Sequence, residues 1–117
     1  MRLNEVTNYA APHVEGYGPG FFRVAGEVRE GPMLLLPSGV TPWNGTDDIA
    51  PLVSAAKDID VLFLGMGSEI AYAPALLREA LEDAGIGVEV MASRTACRTF
   101  NVLFGEGRRI GLAALPV

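Results

Sequence analysis

The sequence has a single cysteine, a single histidine and a single tryptophan, and this scarcity excludes several classes of protein. Cys97 cannot form a disulfide within the chain, so small secreted proteins built on disulfides are excluded and a reducing, cytoplasmic environment is expected. One cysteine and one histidine cannot build a usual zinc site, and His13 lies in a polar N-terminal segment, away from any candidate nucleophile. We therefore assign no catalytic residue, and we expect neither a bound metal nor an organic cofactor.

Basic residues are also few, since nine Lys and Arg stand against 14 Asp and Glu and the net charge is −5. Without a basic run, the chain lacks the electrostatic footprint of a nucleic-acid-binding protein. Long apolar runs are missing as well, because three prolines interrupt the least charged stretch, residues 31–46. We expect no nucleic-acid partner, no signal peptide and no integral membrane segment.

What the chain has in quantity is apolar surface. Half of its 117 residues are hydrophobic, and the length is that of one domain. A domain of this size is not expected to bury all of that surface, so we expect either a homo-oligomer or a docking surface for another protein.

The first half of the chain has the pattern of antiparallel β-structure. Prolines and glycines among polar residues favour a flexible N-terminal arm over residues 1–15, followed by a single domain over residues 16–117. Alternating apolar residues predict a strand over 21–28 with a turn near Gly26, and further extended segments over 33–36 and 40–43. Trp43, in the last of these, fits either the core or an exposed anchor for a partner, and the core is favoured.

The second half alternates between helical and strand patterns. Predicted helices run from about Asp47 to Lys57, from Pro74 to Gly85, and from Ser93 or Thr95 through Phe104; predicted strands cover 61–64, 87–91 and 110–115. Short connections between such strands require parallel pairing with right-handed crossovers. The fold class is therefore α/β, a three-layer single domain in which a mixed, mostly parallel sheet has flanking helices and the N-terminal hairpins packed onto it.

Two loops of this half are candidates for a binding crevice. The turn after the strand over 61–64 and the start of the third helix both follow carboxyl ends of parallel strands, where open α/β sheets bind ligands. Unpaired amides at a helix N-terminus, with two arginines nearby, could hold a carboxylate or a phosphate. The candidate residues are Gly65, Gly67, Ser68, Arg94, Thr95, Cys97, Arg98 and Asn101. Equally, both segments could be ordinary tight connections whose glycines satisfy backbone geometry.

Cys97 itself has two interpretations. Near a helix N-terminus and between Arg94 and Arg98, it could be a reactive thiolate. However, unpaired cysteine is among the most buried residue types, and an apolar stripe accompanies it along the helix, so a structural thiol is favoured. A dinucleotide site is excluded, because Ile70 occupies the position of the third glycine of the fingerprint.

Several short motifs occur together in one order along the chain. They are Gly-Tyr-Gly-Pro-Gly-Phe-Phe at 16–22, Leu-Pro-Ser-Gly-Val at 36–40 with Trp43, Leu-Gly-Met-Gly at 64–67, Gly-Ile-Gly-Val-Glu-Val-Met at 85–91, and Ala-Cys-Arg-Thr-Phe-Asn-Val-Leu at 96–103. The set resembles the Mth-type domain of unknown function, over about residues 16–116. Members of that family include a mitochondrial respiratory complex I assembly factor and the adipogenesis-associated Mth-domain-containing protein.

The resemblance implies a three-layer α/β fold with a central mixed sheet and an added β-hairpin layer, and it implies no established reaction. It favours a non-enzymatic protein-binding or assembly-accessory factor, with a partner such as a respiratory-complex subunit. The alternative is a small-ligand-binding or enzymatic domain that uses the crevice between Gly65–Ser68 and Arg94–Asn101. Met66 and Phe100 stand where the family often has Thr and Tyr, and the loss of both hydroxyls weakens the case for a polar crevice.

Overall fold

The first strand begins inside the predicted N-terminal arm. The computed structural model describes residues 12–117, so the part of the arm over residues 1–11 lies outside the described residues. Val14 and Glu15 belong to strand β1 (Val14–Gly18), and Val14 is buried in the core. These two residues of the predicted arm are therefore part of the domain.

Three antiparallel strands form a small sheet in the order β1-β2-β3. Strand β2 spans Phe21–Val24 and strand β3 spans Glu27–Glu30. The pattern over 21–28 thus corresponds to a hairpin, and its turn lies at Ala25 and Gly26, whose φ angles are 55° and 77°. Two consecutive residues at positive φ match the twist of the flanking strands, which places the turn where Gly26 predicted it.

The other five strands form a mixed sheet in the order β5-β4-β8-β6-β7. Its members are β4 (Met33–Leu36), β5 (Gly39–Pro42), β6 (Val61–Met66), β7 (Gly87–Met91) and β8 (Ile110–Leu115). Strand β6 pairs in parallel with both β7 and β8, whereas β4 pairs antiparallel with β5 and β8. The predicted α/β class with a mixed central sheet is confirmed, and the parallel pairing is confined to β6, β7 and β8.

The helices are α1 (Ala50–Ser54), continued by a 3₁₀ turn (Ala55–Lys57), α2 (Ala75–Asp83) and α3 (Ser93–Gly105). The expected start of the first helix near Asp47 is wrong by one turn. Asp48 instead stabilises the preceding loop: its carboxylate accepts the backbone N–H of Asn44 at 3.3 Å, and its backbone carbonyl accepts the indole N–H of Trp43 at 3.0 Å. Trp43 is buried, as favoured from the sequence.

The alternation of side chains along the strands divides the core between the two faces of the large sheet. On one face, Leu62 and Leu64 of β6 pack with α1 and α2 through residues such as Leu52 and Leu77. On the other face, residues that include Val14, Phe22, Phe63, Ala96 and Phe100 join the large sheet to α3 and to the small sheet. The layers are therefore α1 and α2, the large sheet, and then α3 with the small sheet.

Candidate functional site

The carboxyl ends of β6 and β8 lie side by side, with Met66 opposite Leu115. From β6 the chain crosses through α2 to β7 on one side, and it then returns through α3 to β8 on the other side of β6. This reversal is the topological switch point of the sheet, the place where open α/β folds bind ligands.

The side chain of Ser93 occupies this switch point. Its hydroxyl accepts the Gly67 N–H at 2.8 Å and donates to the Leu115 carbonyl at 2.5 Å. The Ser93 amide donates to the Gly67 carbonyl at 2.8 Å, and the residue is 0 % exposed. The first residue of α3 thus joins the end of β6 to the end of β8, and it fills the space between them.

Gly65 and Gly67, at the end of β6, are glycines for two different structural reasons. A Cβ atom on Gly65 would lie 2.7 Å from the hydroxyl oxygen and 2.9 Å from the Cα of Ser93, so only glycine lets α3 approach the strand. Gly67 has a φ of +98°, in the region that favours glycine. Gly65 is thus explained by the packing of α3 and Gly67 by the backbone conformation of the turn, which supports the interpretation that both segments are ordinary tight connections.

The more distal candidates on α3 face strand β1. Cys97, Arg98 and Asn101 border a groove of about 310 Å³ between α3 and β1. The Asn101 amide donates to the Val14 carbonyl at 2.7 Å and accepts the Val14 N–H at 2.9 Å. Asn101 therefore pairs with the backbone of Val14 as a neighbouring strand would, and it fixes the small sheet to α3.

Cys97 is buried among the apolar residues of this layer. Its side chain belongs to the same cluster as Phe100 and Leu112 and is 2 % exposed. Burial raises the pKa of the thiol from 9.0 to about 12, because the thiolate would lose its hydration. The thiol is therefore protonated at neutral pH, which supports the structural interpretation over the reactive one.

The remaining candidates, Ser68, Arg94 and Thr95, are exposed to solvent. The candidate residues therefore divide into those packed against Ser93, those facing β1 and those on the surface. Binding of a carboxylate or phosphate by any of them stays a prediction. Within residues 12–117, no group of three potential metal-ligating side chains comes together, and no helix has the length and apolar character needed to cross a membrane.

An apolar surface that the sequence analysis missed lies between β6 and α2. Ile70, Tyr72 and Leu76 are 73, 99 and 75 % exposed, and together they form what we call the apolar patch. Beside it runs a groove of about 480 Å³ that reaches Arg78 and Val90. The signal was the sequence Ile-Ala-Tyr-Ala at 70–73, an apolar run in a loop, where polar residues are usual.

Comparisons with known proteins give the relatives of this domain. A family model described as a protein of unknown function (DUF498/DUF598) matches residues 14–115. An uncharacterised protein of Rhodobacter capsulatus is 46 % identical over 104 residues, which cover 89 % of this chain and 84 % of that protein. A Mth938-like domain of Bordetella pertussis, solved by NMR, has a TM-score of 0.75 and 26 % identity, over 94 % of this chain and 87 % of that one.

The chain is also similar to a human assembly factor. This relative is NADH dehydrogenase [ubiquinone] 1 alpha subcomplex assembly factor 3, which is 32 % identical over 113 residues. The aligned region covers 91 % of this chain and 61 % of the human protein, so the chain spans about three fifths of that relative's length. The shared part is thus most of this chain.

Proposed function

This chain belongs to the DUF498/DUF598 family of Mth938-like domains, and on that premise we propose that it is a non-enzymatic assembly-accessory protein that binds a subunit of a respiratory NADH dehydrogenase. The observation that carries the proposal is the 32 % identity with assembly factor 3 over 91 % of this chain. The family model covers residues 14–115, which include both sheets and all three helices, so the surface of this domain is the part available for a shared role.

The geometry of the switch point supports binding of a protein over chemistry on a small molecule. Ser93 occupies the position where open α/β sheets hold their ligands, and its hydroxyl is used by Gly67 and Leu115. The one thiol of the chain, Cys97, is buried with a raised pKa, so it lacks the thiolate character of a nucleophile.

The apolar patch supports the same proposal. Ile70, Tyr72 and Leu76 expose apolar side chains within seven residues of the chain, and exposed apolar surface of this kind on a small domain marks contact surfaces. An exposed tyrosine is also a residue type enriched where proteins bind one another. The expected homo-oligomer stays a prediction beside this docking surface.

The test is deletion of the gene in host cells that make NADH dehydrogenase. Assembled complex is measured on blue native gels, and NADH oxidation is measured in isolated membranes. We expect both to fall severalfold and partial assemblies to accumulate, with recovery when the wild-type gene is returned. Unchanged amounts of assembled complex in the deletion strain would refute the proposal.

A variant separates this function from the ligand-binding alternative. Cys97→Ala combined with Arg98→Ala removes the thiol and the cation that follows it in the predicted crevice, and we expect this variant to restore assembly as the wild type does. If this variant folds, as judged by its circular dichroism and melting temperature, but fails to restore assembly, the crevice alternative gains support instead.

A further inference from the structure

The sheets of this domain have four edge strands, β1 and β3 in the small sheet and β5 and β7 in the large one. Natural proteins protect such edges with charges, prolines or a covering element. Strand β3 has three charged residues in four, β5 ends in Pro42, and Asn101 fixes β1 to α3. Strand β7 has one charged residue, Glu89, and no proline, so it is the least protected edge.

The backbone of β7 offers unpaired groups along this edge. The Gly87 N–H donates to the Asp60 carbonyl at 2.9 Å, on the side of β6. Since successive residues of a strand pair in opposite directions, the N–H and C=O groups of Val88 and Val90 point away from β6. Within residues 12–117, these four groups have no partner, and they have the spacing that an added strand requires.

The two faces beside this edge differ in chemistry. On the α2 face, Val90 borders the groove of about 480 Å³ that Ile70 and Tyr72 also line. On the α3 face, Glu89 lies opposite Phe63 of β6 and borders a second groove of about 200 Å³. Glu89 is exposed and makes no hydrogen bond or ion pair with another residue of the described chain. Arg108, which also lines this second groove, precedes β8, on the far side of β6 from the edge.

We propose that the edge of β7 takes up an extended segment of a different polypeptide, with a cationic side chain opposite Glu89 and apolar side chains opposite Val88 and Val90. The segment would add a sixth strand to the large sheet, and its apolar side chains would lie beside the apolar patch. The proposal rests on the proposed function, because it names the surface by which the accessory protein holds its partner.

Electrostatic repulsion makes a second copy of this chain an unfavourable partner for the β7 edge. Two β7 strands in full antiparallel register would place Glu89 opposite Glu89, and like charges directly opposite are destabilising. A Lys or Arg at that position would form a favourable cross-strand pair, and the net charge of −5 also attracts a basic segment.

The test uses photo-crosslinking of the full-length protein in its own cells. The photoreactive residue p-benzoylphenylalanine replaces Tyr72, which is 99 % exposed beside the groove, and, in a control strain, Tyr17 of β1. We expect position 72 to label an extended segment of another polypeptide that has a Lys or Arg between apolar residues. Labelling of a second copy of this chain, or equal labelling of that segment from positions 17 and 72, would overturn the proposal.

Three further substitutions, each made in the protein that carries p-benzoylphenylalanine at position 72, test whether the β7 edge binds the segment. Glu89→Lys should lower the crosslink yield about fivefold or more, because it replaces an attractive cross-strand pair by a repulsive one. Val88→Pro removes an outward N–H without removing a bond to β6, and it should have a similar effect. Glu30→Lys changes the charge of an edge strand in the small sheet and should leave the yield within about twofold. Melting temperatures establish that each variant is folded, and an unchanged yield in both β7 variants contradicts the proposal.

Returning the same variants to the deletion strain distinguishes the two proposals. If NADH dehydrogenase assembly requires the protein but Glu89→Lys and Val88→Pro restore it fully, the proposed function stands and the edge proposal fails. If assembly does not require the protein but both variants abolish crosslinks to a basic segment of another protein, the edge proposal stands and the respiratory function fails.

Discussion

Ser93 occupies the position at the carboxyl ends of the strands where other open α/β sheets bind their ligands. Its hydroxyl satisfies one backbone group from the end of β6 and one from the end of β8, which are 26 and 22 residues away along the chain. A buried hydroxyl is stable only because both of its bonds are made. The loss of unfolding free energy on removal of this hydroxyl therefore measures how much Ser93 stabilises the switch point.

Ser93→Ala should lower the free energy of unfolding by about 2–3 kcal/mol, since it removes the two buried hydrogen bonds that the hydroxyl makes to Gly67 and Leu115. Urea denaturation monitored by circular dichroism measures the change. Ser68→Ala is the matched control in the adjoining exposed turn and should stay within about 0.5 kcal/mol of the wild type. Equal effects of the two variants would show that Ser93 does not close the switch point.

Cys97 gives a prediction with a definite sign in pH. The folded thiol has a pKa of about 12, against 9.0 for an unburied cysteine. Between these values the unfolded chain releases a proton that the folded chain keeps, so unfolding becomes more favourable as the pH rises. Below pH 9 both states keep the proton and the effect vanishes.

The free energy of unfolding of the wild type should therefore fall, relative to Cys97→Ala, by about 1.4 kcal/mol per pH unit above pH 9. The comparison with Cys97→Ala removes the contributions of all other groups, because the two proteins share them. Denaturation midpoints at several pH values from 8 to about 11 supply the data. Parallel curves for the two proteins would mean that the thiol is not buried.

At the scale of the elements, the patterns that predicted the structure were local ones. A continuous apolar run located β6, mainly apolar segments located β7 and β8, and Pro74 and Gly85 marked the two ends of α2. The start of α1 was misplaced because Asp48 bonds with Trp43 and Asn44, and this competes with its use at a helix N-terminus.

The candidate site was less predictable than the strands and helices, because it depends on contacts between residues that are distant in the sequence. The sequence places Gly67 and Ser93 near one another only through the fold, and the acceptor of the Ser93 hydroxyl belongs to a strand that follows later in the chain. Asn101 was assigned to a crevice because it belongs to the segment at the start of α3, whereas its partner, Val14, lies 87 residues away in the predicted arm. Contacts of this kind leave no periodic signal in a single sequence.

Asn101 connects two elements, and its removal should act on both. Asn101→Ala should lower the free energy of unfolding by about 1–2 kcal/mol, because it removes two hydrogen bonds to the backbone of Val14. It should also speed hydrogen exchange of the Val14 amide, which can be followed by NMR.

The matched control for Asn101 is Val102→Ala, at an exposed neighbour on the same helix. This variant should leave both the stability and the Val14 exchange rate close to those of the wild type. If the Val14 amide exchanges equally slowly in the two variants, the small sheet is held to α3 by packing alone.

At the scale of the whole molecule, the groups available for binding a partner lie at the β7 edge of the large sheet. The switch point is closed by Ser93, whereas the β7 edge offers unpaired backbone groups, an exposed acidic side chain and the apolar patch. An acidic domain with one unprotected sheet edge is suited to hold a basic, extended segment of another chain. This division supports the proposed assembly role.

The measurement that tests this account most directly is native mass spectrometry of the full-length protein purified gently from its own cells. The account predicts a species whose mass equals this chain plus a subunit of NADH dehydrogenase, and no retained small molecule. A reproducible added mass of small-molecule size, without a protein partner, would contradict it and return attention to the crevice near Arg94 and Arg98.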